Sequence, residues 1–129
     1  NGINGGFPVF QTNMLPERLG TAAMTIGSVR PAVEIATRYT SMRKAFGMPI
    51  MNFQAVGFRV ADCVQRLDAM RSIAYTTARA IDSSRVHPGR LRRMVSESKK
   101  FITEASWEVV SRKARLFRAR QSRPRQGVK

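Results

Sequence analysis

The eight residues RKAFGMPI, at 43–50, constrain this chain more than any other stretch. A long amphipathic segment runs into them and ends on the cations Arg43 and Lys44, Gly47 and Pro49 stop it, and a second long amphipathic segment opens at Asn52. The stretch therefore reads as a corner between two helices. Such a corner gathers free backbone groups, a guanidinium and an aromatic ring at one end of a helical layer, which is chemistry suited to a phosphorylated ligand.

On either side of the corner the apolar residues recur at threes and fours. From Leu15 to about Lys44 the stripe is Leu19, Ala22, Ile26, Val29, Val33 and Ala36, with Pro16 and Glu17 expected in the first turn and Pro31 expected to bend or break the helix near Val29 and Arg30. From Asn52 to about Ser83 it is Phe53, Val56, Val60, Val64, Leu67, Met70, Ala74, Ala78 and Ile81; Asp62 and Arg66, like Asp68 and Arg71, stand at pairing distance on the other side. The run SSRVHPG at 83–89 is the next turn. Beyond it Leu91, Met94, Val95, Ser98, Phe101, Ile102, Ala105 and Val109 make a third stripe reaching at least Val110.

Residues 1–14, rich in Gly and Asn, are expected to be an extended connection leading into the first helix, and no strand-like alternation of any length occurs. The expected fold is all-α: three long helices in an antiparallel up-down bundle, spanning 15–110 as one domain. Stripes this broad ask for a fourth helix or a partner chain to cover them.

Charge and cysteine content narrow the function classes. The net charge is +15, but residues 111–129 hold eight Arg or Lys and no acid, leaving 15 basic against eight acidic groups in the first 110. That basic end has Leu116, Phe117 and Val128 as its only large apolar residues, so it is expected to be a frayed helical continuation followed by disorder. Cys63 stands alone, which removes disulfide frameworks and cysteine-rich metal sites and makes a reducing intracellular compartment the default. Neither a spanning apolar run nor an N-terminal targeting pattern is present, and the chain begins with Asn as if cut from something longer.

The segments LPERL (15–19), RKAFGMPI (43–50), NFQAV (52–56), VADCVQRLDAMR (60–71) and SESKKFITEASWEVV (96–110) resemble the C-terminal all-α domain of the acyl-CoA dehydrogenases, over about residues 10–110. Those flavoenzymes oxidise acyl-CoA thioesters to enoyl-CoA and pass the electrons to an acceptor. The resemblance implies FAD as cofactor, a homo-oligomer (dimer or tetramer), and three of the four helices of that family's bundle, the fourth missing or replaced. It implies a cytoplasmic location, or the mitochondrial matrix in a eukaryote.

Site residues come from the same resemblance. Arg43 would contact the FAD pyrophosphate of the neighbouring subunit, for which a planar guanidinium fork is apt, with Phe46 beside that nucleotide and Gln54 hydrogen-bonded to it. The residues alone also allow plainer roles: Arg43 a cation on a helix C-terminus, Phe46 corner core, Gln54 a solvated first-turn residue. In the branch resembling isovaleryl-CoA and long-chain enzymes, Glu17 would be the catalytic base, taking the proton alpha to the thioester while the flavin N5 takes hydride from the beta carbon; the alternative is a first-turn Glu favoured by the helix dipole. Arg18 would help shape the substrate pocket, and Leu15 stands where an acid or amide often meets CoA.

After Val110 the family's FAD-binding GGxGY turn and fourth helix are not recognisable, so a frameshift or truncation and a chain inactive by itself are the expectations. A rival reading is nucleic-acid binding through the arginine-rich end, which lacks a recognition fold and interleaved aromatics other than Phe117. Another is a purely structural dimerisation module. No metal site is expected, since His87 has no second ligand in its turn, and Cys63 reads as a buried small residue.

Overall fold

In this computed structural model, residues 5–118 are described; the remaining residues of the basic end, 119–129, lie outside the described ones. Three helices run up, down and up: α1 Gly6–Met42, α2 Gln54–Asp82 and α3 Pro88–Arg118. Each packs against both others, so the core is a three-sided column. Ala22, Val29 and Val33 of α1 meet Cys63, Leu67 and Met70 of α2 and Ile102, Ala105 and Val109 of α3, with Ile26 and Ala74 packed against them. Burial of these side chains, worth roughly 25 cal/mol per Å² of apolar area, is what holds helices that share no disulfide.

Helix α1 starts nine residues earlier than the periodicity indicates. Phe7, Val9 and Phe10 lie on it at 67%, 56% and 58% exposure, so no buried stripe marks this part of the helix. Pro16 and Glu17 consequently sit about three turns inside α1, and its first turn holds no acid. The helix also continues through Pro31. The carbonyl that Pro31 cannot bond is that of Gly27; both residues are exposed, where water can serve the orphaned group.

Two further departures are local. In α2 the buried position is Cys63 and not Val64, which is 40% exposed, because Val60, Cys63, Leu67 and Met70 follow the true helical repeat more closely. In α3 Phe101 is 38% exposed while its neighbour Ile102 is fully buried. Buried hydroxyls are mostly satisfied within their own helix: Thr40 donates to the Ala36 carbonyl at 2.9 Å and Thr77 to that of Ile73 at 2.9 Å. Ser98 is the exception, its Oγ having no partner.

Polar ties cross between helices at two levels. Arg18 Nη1 donates to Ser96 Oγ at 2.7 Å, joining α1 to α3, and Arg66 Nη1 meets Glu108 Oε2 at 2.6 Å, joining α2 to α3. At the turn into α3, the Gly89 N–H donates to His87 Nδ1 at 3.2 Å and the Leu91 N–H to the His87 carbonyl at 3.0 Å. Pro88 then occupies the first helical position, where its missing N–H costs nothing.

Candidate functional site

The corner is more ordered than a plain loop. Two short strands, β1 Lys44–Ala45 and β2 Met48–Pro49, pair antiparallel with Lys44 opposite Pro49 and Ala45 opposite Met48. Phe46 and Gly47 form the two-residue turn between them, both left-handed at φ 52° and 84°. Positive φ at both positions is the mirror-image turn that matches the twist of a hairpin, and Asn-Gly is its preferred sequence. Glycine serves the second position here; phenylalanine at the first is strained, at a cost of order 1–3 kcal/mol.

The segment between the hairpin and α2 locks the turn to the bundle. The Ile50 N–H donates to the Arg43 carbonyl at 2.8 Å, residues Ile50–Asn52 make a tight 3-10 turn, and Phe53 in extended conformation launches α2. Thr40 Oγ1 reaches Met51 Sδ at 3.9 Å, tying that turn to α1. Gly57 lets it come close: a Cβ there would meet the Met51 carbonyl at 3.2 Å.

Strain in the turn faces outward. The Phe46 ring is 93% exposed and touches Phe53 edge-on, with centroids 6.2 Å apart. It is not corner core. Arg43 terminates α1, is exposed, and has no carboxylate partner among the described residues. A depression of about 500 Å³ next to it is lined by Ile35, Arg38, Tyr39, Met42 and Arg43. Arg38 is a second cation here that the motif does not include, although its spacing from Ile35 and Met42 puts all three on one helix face. Gln54 is exposed at the first position of α2. Arg43, Phe46 and Gln54 therefore share one end of the bundle.

Glu17 and Arg18 are elsewhere. Twenty-six residues of continuous helix separate Glu17 from Arg43, about 39 Å at 1.5 Å per residue. Glu17 is exposed, and its place deep in α1 removes the helix-dipole explanation for a carboxylate there. Arg18 is half-buried and held by Ser96. Gln11, Met14, Leu15 and Arg92 surround it in a second, smaller notch of about 160 Å³. Among the described residues no group of three His, Cys, Asp or Glu side chains could hold a metal ion, and no helix is long and apolar enough to cross a membrane.

Residues 4–119 match the family of the acyl-CoA dehydrogenase C-terminal domain. The chain belongs to the acyl-CoA dehydrogenase family. The match runs past both ends of the 10–110 stretch that carries the resemblance, into the start of the basic end. Benzylmalonyl-CoA dehydrogenase of Aromatoleum aromaticum is 33% identical over 100 residues, 78% of this chain and 26% of that protein. Mitochondrial isovaleryl-CoA dehydrogenase of Oryza sativa subsp. japonica is 35% identical over 81 residues, 63% of this chain and 20% of that protein. Among solved structures, butyryl-CoA dehydrogenase from Megasphaera elsdenii superimposes with a TM-score of 0.82 at 22% identity, covering 91% of this chain and 30% of the other, which fixes the helical-bundle fold. This acyl-CoA dehydrogenase domain thus spans under a third of the length of the curated relatives it matches.

Proposed function

We propose that this domain works within an FAD-dependent acyl-CoA dehydrogenase that introduces an alpha,beta double bond into acyl-CoA thioesters. Its corner completes the flavin site of a neighbouring copy. The observation that carries this reading is Phe46: a bulky residue kept in a left-handed conformation with its ring in solvent is unfavourable for the isolated chain, and backbone strain of this kind clusters where a ligand or partner is met. Beside it Arg43 offers an uncommitted guanidinium, whose planar fork suits a diphosphate. Arg43 would hold the diphosphate, Phe46 would lie along the nucleotide and Gln54 would supply an amide hydrogen bond.

Chemistry would take place at the other residue set. Glu17 would remove the alpha proton, and Arg18, already positioned by Ser96, would shape the acyl-CoA pocket. The flavin, when bound, supplies acceptance of hydride from the beta carbon. Because about 39 Å of helix separates Glu17 from Arg43, one chain cannot direct both at a single flavin. Two copies in a homo-oligomer can, each lending its corner to the other. An electron acceptor then reoxidises the enzyme, in the cytoplasm or the mitochondrial matrix.

Arg43→Ala tests the reading in the protein with its flavin-binding and acyl-CoA-binding domains present. The expected result is a loss of FAD affinity of about one to two orders of magnitude, the worth of a charge-assisted contact. Unchanged FAD affinity would remove the corner from the flavin site.

A further inference from the structure

We infer that the open groove between α1 and α2 binds an anionic amphiphile, a carboxylate carried on an aliphatic tail. The groove is about 370 Å³, within the ordinary size of a small-molecule site. Leu19 and Ile26 of α1 with Ala74 and Ala78 of α2, all half-buried, make its apolar floor, and a tail laid on them removes that area from water. Arg30 is the last residue of α1 to line the groove, and Arg71 is the first of α2. Because the two helices run antiparallel, both guanidiniums fall at one end, while Leu19 and Ala78 close the other. From Leu19 to Arg30 is about 16 Å of helix at 1.5 Å per residue. The groove is therefore a trough with a cationic head and an apolar tail.

Charge selects a single negative group. Arg30 Nε is bonded to Glu34 Oε1 at 2.8 Å, which offsets one cation and leaves the terminal N–H groups of Arg30 outside that bond. Arg71 has no carboxylate partner among the described residues; the pairing with Asp68 that their spacing allows does not form. One uncompensated positive charge remains, which matches a carboxylate at −1 better than a phosphoryl group at about −1.5 to −2. Tyr75, one turn beyond Arg71, adds a hydroxyl to the same wall. Gly27 keeps the opposite wall low, since an added Cβ there meets nothing within 4 Å. The trough is separate from the proposed chemistry: Glu17 does not line it, and Arg18 turns instead to Ser96 of α3. It is equally independent of the flavin reading, which rests on Arg43, Phe46 and Gln54.

The test titrates the 129-residue chain with sodium decanoate, kept below its micelle concentration at constant ionic strength, followed by nuclear magnetic resonance of the Ile26, Ala74 and Ala78 methyl groups. Saturable shifts there are expected. Decanol, which has the tail without the charge, should bind about tenfold more weakly or worse. Arg71 is exposed and outside the core, so Arg71→Gln should keep the parent's helical circular dichroism while weakening decanoate by a similar factor. Gly27→Leu fills the trough and should abolish saturable binding with helicity retained. Arg59→Gln, at an exposed arginine of α2 outside the groove, should bind as the parent does. Non-saturating shifts, parental affinity in Gly27→Leu, or an equal loss in Arg59→Gln and Arg71→Gln would overturn the site, the last by revealing a diffuse positive surface. Parental affinity in Arg71→Gln, or decanol bound as tightly as decanoate, would overturn the carboxylate assignment.

Discussion

The Phe46 ring stands edge-on to that of Phe53, 81° between their planes, and with that contact in place Phe46 is still 93% exposed. An edge-to-face pair is worth about 0.5–1.5 kcal/mol, while the left-handed backbone of Phe46 costs of order 1–3 kcal/mol. Strain therefore outweighs the contact. Phe46→Asn, which gives the turn its preferred Asn-Gly, should stabilise the chain by about 1 kcal/mol in thermal or urea melting. It should also weaken FAD in the complete protein. A destabilised Asn variant would mean that the ring contributes more than the backbone costs.

Glycines at three positions should respond differently to one methyl group. Gly20 lies in exposed helix with nothing within 4 Å of an added Cβ, so Gly20→Ala should gain about 0.5–1 kcal/mol. Gly57→Ala should lose that advantage, because the new Cβ meets the Met51 carbonyl at 3.2 Å and the tight turn before α2 must shift. Gly47→Ala should be the worst of the three, at about 1 kcal/mol or more of destabilisation from φ 84°. Urea midpoints that fail to rank in this order would mean that the corner is softer than its hydrogen bonds imply.

Most of the bundle is legible in the sequence because burial and helical period coincide over Ala22–Ala36, Val60–Met70 and Val95–Val109. Where they part, the sequence misleads for identifiable reasons. The first turns of α1 carry apolar residues that face solvent, so nothing periodic announces them. Four paired residues are too few to show strand alternation, and a left-handed phenylalanine leaves no compositional trace, so the hairpin inside the corner is invisible in the sequence. The end of α1 that should hold a nucleotide is visible through its motif, and helical spacing alone could have added Arg38 to it, whereas Arg92 joins the notch around Arg18 only when α1 and α3 are assembled.

Core and groove should give opposite signs. Met70 and Ile102 are fully buried, and truncation of either to Ala should cost about 2–5 kcal/mol. Ser98 is also buried, but its Oγ has no hydrogen-bond partner and lines a groove of about 340 Å³ between α2 and α3. Ser98→Ala removes an unsatisfied hydroxyl and should be neutral or stabilising by up to about 1 kcal/mol in the isolated chain. A clear loss there, measured by chemical denaturation, would reveal a hydrogen bond that Ser98 makes in solution.

The two ends of α1 should separate in function as they do in space. In the protein with its other domains present, Glu17→Gln keeps the shape of the side chain and removes its ability to accept a full proton. FAD should stay bound at parental affinity, because in the proposed two-copy site the diphosphate is held by Arg43 of the neighbouring copy, while Glu17 would face the acyl-CoA and not the nucleotide. Flavin reduction by acyl-CoA should fall by about two to four orders of magnitude, the usual contribution of a positioned general base. Arg43→Ala should behave in the reverse sense: poor FAD retention, and reduction restored once the cofactor is supplied in excess, since the base is untouched. Anaerobic titration of each variant with FAD and then with acyl-CoA, followed by flavin bleaching, distinguishes the two losses. Bleaching at the parental rate in Glu17→Gln would place the base on another residue and leave Glu17 as an exposed carboxylate on the side of α1.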